Sequence, residues 1–109
     1  MAEININVEV ESYFILERLK DRAQYKLSEA QESLIKVKDE YAMELRRLFG
    51  NFAAKDPSAT ERLANQKFEE FKRTDKYKIA REPVDHYEEL ISKIDKKLLD
   101  IENSLIENL

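Results

Sequence analysis

Between Phe71 and Arg81 the chain carries five basic residues, Lys72, Arg73, Lys76, Lys78 and Arg81, against one acid, Asp75, with the rings of Phe71 and Tyr77 among them. Cations neutralise phosphates and flat rings stack on bases. Lys72, Arg73, Lys76, Tyr77, Lys78 and Arg81 are therefore candidate contacts to an anionic partner such as a nucleic-acid single strand. The same run also suits docking to an acidic protein surface, or a solvated connector, and the neighbouring Glu69, Glu70 and Glu82 weaken its field.

No other group of residues has the types and spacing of a reactive centre. His86 is the only histidine. A di-iron bundle site needs two Glu-x-x-His motifs, and the residue three before His86 is Pro83. Beside Asp85 and Glu89, the imidazole reads as an exposed side chain. The carboxylates are spread among lysines and arginines, as in Glu32 with Lys36, which is the pattern of a solvated helix face. One glycine cannot build a phosphate-cradling loop, and the absence of cysteine excludes disulfides, thiol catalysis and cysteine-ligated zinc. The expectation is a non-enzymatic protein with no catalytic or metal-binding residue, no cofactor and no small-molecule substrate.

What must position the basic run is a set of helices. The 109 residues are 42% hydrophobic and 39% charged, with one glycine and two prolines, a balance that suits long helices with narrow apolar stripes and predicts an all-α fold. The net charge of −4 is uneven: residues 82 to 109 hold eight acids against three lysines, whereas residues 13 to 81 hold 16 basic against 12 acidic residues. No apolar run approaches the roughly 18 residues needed to span a bilayer, and the N-terminus lacks a basic signal-peptide start. A cytoplasmic location without a membrane partner is expected.

The strongest periodicity lies at the end of the chain. Val84, Tyr87, Ile91, Ile94, Leu98, Ile101 and Leu105 recur at gaps alternating between three and four, which predicts a coiled-coil strand over 83–109 opened by Pro83. Its seam residues are Tyr87, Ile91, Ile94, Leu98, Ile101 and Leu105. Upstream, Leu16, Ala23, Leu27, Ala30, Leu34, Val37, Tyr41, Leu45 and Leu48 predict one helix over 12–49. It would run from a Ser12 cap to a stop at Gly50-Asn51 and be about 57 Å long. Ser58 and Glu61 form a capping-box pattern after Pro57 and open a shorter helix over 58–73, with 75–82 as a connector. The second and third helices together match the first in length, so the expected architecture is a single domain over 1–109. It would be an elongated antiparallel helical hairpin with coiled-coil packing.

Residues 1–11 read differently. Ile4, Ile6, Val8 and Val10 alternate with polar residues and are all β-branched, which predicts an extended segment. These four are candidates for strand pairing with another subunit or with a sheet edge; the alternatives are a disordered or helix-extending terminus and pairing within the chain with 77–81. Apolar residues left over on second faces, Ile35, Ala42 and Phe49 in the first helix and Leu99 and Ile106 in the last, with Phe14 and Ile15, point to association.

The order of a long helix, an Asp56-Pro57-Ser58 turn and a returning broken helix resembles in a general way the small helical chaperones of bacterial secretion systems and the helical recombination mediators of large phages. The likeness lies in helix order over most of the chain and carries no residue's role across. The expected function is that of a protein-binding or assembly protein, an adaptor, chaperone or inhibitor that partners itself and another protein. The alternatives are a nucleic-acid accessory protein acting through 72–81 and a structural component of a larger assembly.

Overall fold

The computed structural model describes residues 6–108, and these are all-α: α1 (Ile6–Phe49), the single turn α2 (Phe52–Lys55), α3 (Pro57–Phe71) and α4 (Asp75–Glu107). Helix α1 starts six residues before the expected Ser12 cap and takes in the alternating segment. Ile6, Val8 and Val10 are thus helical, which corrects the strand expected there; Ile4 lies outside the described residues. The physical reason is backbone satisfaction: a helix pairs its amides and carbonyls within the segment, whereas a lone strand needs a partner. Glu9 in the first turn also favours the helix dipole. Alternate residues on a helix are about 200° apart, so the alternation gathers into no stripe. Ile6, Val8 and Val10 accordingly stay 50%, 53% and 37% exposed.

Gly50 ends α1 as expected, with a left-handed φ of +47° and its amide donating to the Arg46 carbonyl at 3.0 Å. The cap of α3 is Asp56 rather than Ser58. Its carboxylate accepts from the Ala59 amide at 3.0 Å, with Pro57 in the first turn, where a missing amide costs nothing.

The largest boundary difference is at α4, which begins at Asp75 and runs through Pro83 instead of starting there. The connector expected over 75–82 is therefore helical. Thr74 closes one helix and opens the next: its hydroxyl donates to the Phe71 carbonyl at 2.6 Å and accepts from the Tyr77 amide at 3.4 Å. Asp75 adds an acid to the first turn. Pro83 supplies no amide to the ladder, so the helix bond to the Ile79 carbonyl is absent.

The chain divides into two compact units. Unit 2 comprises residues 30–84 and centres on stacked rings. Tyr41 lies face to face with Phe71 at 4.1 Å and 6°, Phe68 sits 6.0 Å from Phe71, and Tyr77 meets Phe71 edge-on at 5.6 Å. The Tyr41 hydroxyl donates to the Lys67 carbonyl at 2.9 Å, so the polar tip of this aromatic is satisfied. Leu34 and Val84 are also buried. Leu48, expected on the inward seam, is 69% exposed.

Unit 1 joins residues 6–29 of α1 to the part of α4 beyond Asp85. Two cross-links fix its register. The Tyr13 hydroxyl donates to Glu102 at 2.7 Å, and the Lys20 ammonium meets Asp95 at 2.7 Å. A step of seven forward on one helix is a step of seven back on the other, so the two segments run antiparallel. Ala23, Ile94 and Leu98 form the buried centre at 3%, 6% and 8% exposure.

Candidate functional site

The residues expected to do chemistry are placed as follows. Lys72 and Arg73 follow the last turn of α3, and Lys76, Tyr77, Lys78 and Arg81 occupy the first two turns of α4. Both rings of the run are used internally. Phe71 is buried against Tyr41, and Tyr77 is half-buried against Phe71, so both rings already take part in contacts within unit 2. Lys72 reaches Glu69 at 3.2 Å and lies 5.3 Å from the Phe68 ring; Lys76 pairs with Glu40 at 3.5 Å. Arg81 is half-buried and already engaged. Arg73 and Lys78 remain exposed on different elements. His86 is exposed and makes an edge contact with Tyr87 at 5.0 Å.

The seam residues of α4 behave as one face. Ile94 and Leu98 are buried, while Tyr87, Ile91, Ile101 and Leu105 are half-buried. The intervening positions are mostly exposed, among them Leu99 at 55% and Ile106 at 66%.

The site that these helices build lies beside the seam of unit 1. At about 100° per residue, Tyr13 and Lys20 project to one side of the line through Leu16 and Ala23, and Leu19, Arg22 and Lys26 to the other. The first flank is a polar cleft of about 620 Å³ bridged by the Glu102 and Asp95 cross-links. On the second flank no such bridge forms, and a groove of about 830 Å³ opens between residues 16–26 and 87–97. Its walls are almost wholly apolar and include Leu16, Leu19, Ala23, Tyr87, Leu90 and Ile94. Ala23 creates the depth, because a methyl group stands where a larger side chain would fill the space.

Cations border the groove. Arg22, Lys26, Lys93 and Lys97 are exposed residues of its lining, and Asp21 is the one acid among the lining residues. A smaller neighbouring cleft of about 550 Å³ shares Leu19, Asp21 and Arg22 and adds Ile15 and Arg18. Lys26 and Lys93 have local partners, Glu29 at 3.6 Å and Glu89 at 3.2 Å. Arg18, Arg22 and Lys97 take part in none of the ion pairs among the described residues. Arg18, Arg22 and Lys26 stand four apart, as do Lys93 and Lys97, a spacing at which like charges repel along a helix.

The polar flank carries its own signature. The Glu102 carboxylate, by accepting the Tyr13 hydroxyl's hydrogen bond, pushes this phenol up to about 12. Lys20 is likewise held above its ordinary value by its bond to Asp95. A raised phenol pKa means that the folded state favours the neutral form. The contribution is complete below about pH 10, the unfolded value, and is lost as pH rises towards 12. Subtracting the phenolate titration of Tyr13→Phe from that of the unaltered chain should therefore isolate a transition near pH 12. A midpoint near the ordinary value of about 10 would remove the Glu102 bond from the structure.

Sequence reading missed the groove. It marked Phe14, Ile15, Leu99 and Ile106 as surplus but passed over Leu19 and Leu90. The available signal was local: each of these two leucines stands one turn from a seam residue, Ala23 or Ile94, with cations at the next helical spacings. Among the described residues, no group of three or more His, Cys, Asp or Glu is placed to hold a metal, and no helix is long and apolar enough to cross a membrane. No known family model, characterised protein or solved structure matches the chain.

Proposed function

We propose that this chain is a non-enzymatic protein-binding or assembly protein, an adaptor, chaperone or inhibitor that works by docking a protein partner. In this reading it is an antiparallel helical hairpin whose α4 seam packs in coiled-coil fashion, and it also associates with itself. The observation that carries the reading is the open groove of unit 1. Leu19 and Leu90 remain 46% and 37% exposed on a wall that is otherwise apolar, and exposed apolar surface with a charged rim is characteristic of an interaction site. The nucleic-acid alternative has less support, because Phe71 and Tyr77 are committed to the ring cluster of unit 2.

The test pairs the unaltered chain with Leu19→Asp/Leu90→Asp, two substitutions at positions already partly in water. The groove should take up an environment-sensitive apolar dye, and the double variant should keep its helicity while losing dye affinity by about tenfold or more. A folded double variant that binds the dye as before overturns the groove as the docking surface. Light scattering over a dilution series reads self-association on the same samples, and a mass of one chain at every concentration removes that part of the proposal.

A further inference from the structure

We propose that the occupant of the unit 1 groove is an amphipathic helix of another protein, its apolar stripe flanked by aspartates and glutamates. This rests on the docking reading above and specifies its partner. Shape is the first ground. Residues 16–26 and 87–97 each rise about 15 Å, so the groove offers some three turns between two antiparallel helices. A third helix laid there would bury leucines at i, i+3, i+4 and i+7 against Leu16, Leu19, Leu90 and Ile94.

Charge is the second ground. Arg18, Arg22, Lys26, Lys93 and Lys97 outnumber the acids near them, which are Asp21 in the lining, Glu29 on Lys26 and Glu89 on Lys93, and their repulsion at four-residue spacing is relieved by carboxylates on the incoming helix. The same cations oppose the symmetric alternative, since two copies joined groove to groove would bring ten of them together. A nucleic acid would satisfy the cations and find rings in Tyr25 and Tyr87, but it would leave Leu16, Leu19, Leu90 and Ile94 without an apolar partner, which a leucine stripe supplies.

The experiment measures binding of the full chain to three stapled helical peptides with one leucine stripe and flanks of glutamate, glutamine or lysine. The glutamate peptide should bind about tenfold tighter than the glutamine peptide, the lysine peptide should bind weakest, and the differences should shrink as salt rises. Lys93→Glu/Lys97→Glu, at two exposed positions, should reverse the order of the charged peptides. Equal affinity for all three overturns the acidic partner while leaving the groove as a docking site. If no peptide binds but the apolar dye still does, the helical occupant is overturned and the docking reading stands; if neither binds, both fall. Displacement of the glutamate peptide by a single-stranded oligonucleotide, or its exclusion by a multimer growing with protein concentration, assigns the groove to nucleic acid or to a second copy and overturns the proposal.

Discussion

Ile94→Asp should dismantle unit 1. The side chain is 6% exposed at the centre of the antiparallel pair, beside Ala23 in the groove wall. A carboxyl group placed there loses water and gains no hydrogen-bond partner, an effect of about 3–5 kcal/mol. That is a large part of the stability of a small helical unit, so three readouts should change together. Helical signal should fall, the dye should no longer bind, and the Tyr13 phenol should return from about 12 towards its ordinary range as its contact with Glu102 opens. Leu99→Asp is the matched control, because Leu99 is 55% exposed and its change should cost no more than about 0.5 kcal/mol. Equal effects of the two substitutions would show that the seam does not face inward.

The second large effect is expected at Phe71→Ala. This ring stacks on Tyr41 at 4.1 Å and is touched by Phe68 and Tyr77, so its removal opens a cavity among three aromatics in unit 2. The expected loss is about 3–5 kcal/mol by chemical denaturation. Phe71→Leu, which keeps most of the volume but no ring face, should lose about half as much. An alanine variant within about 1 kcal/mol of the unaltered chain would mean that the cluster does not hold the unit together.

The legible part of this fold was its helical periodicity. Apolar residues at gaps of three and four mark α1 from Leu16 to Leu45 and α4 from Val84 to Leu105, and the structure buries or half-buries all of them. Such spacing is read correctly because packing rewards it directly. Two boundaries were misread, each because a local signal competed with a wider one. Alternating β-branched residues suggested a strand at 6–10, but the helix already running from Ser12 extends at little cost and satisfies the backbone. Pro83 was read as a start, although α4 accepts the missing bond to Ile79 and takes its cap from Thr74. In the basic run, spacing along the chain does not reveal that Tyr41, 30 residues before Phe71, stacks on its ring.

The groove was hard to read for a related reason. Arg22 and Lys93 are each unremarkable surface charges in one dimension. Their meaning comes from the register that sets Tyr13 against Glu102 and Lys20 against Asp95, and so places residues 16–26 alongside 87–97. Only that pairing makes one flank polar and leaves the other apolar with a basic border.

The division into two units implies an order of assembly. In unit 2 the contacts of Glu40 and Tyr41 with later helices join residues 26 to 36 positions apart, as in Tyr41 with Lys67 and Lys76 with Glu40. In unit 1 the Tyr13–Glu102 bond closes a span of 89. Loop closure costs entropy that grows with length, by about 0.8–1.1 kcal/mol over this range, and long-range contacts slow folding. Once Glu40 and Lys76 have met, the path between Lys20 and Asp95 is reduced to the two stretches 20–40 and 76–95, and the search for the second pairing becomes short. Unit 2 is therefore expected to act as the nucleus, with the unit 1 groove the last part of the molecule to form on folding and the first to open.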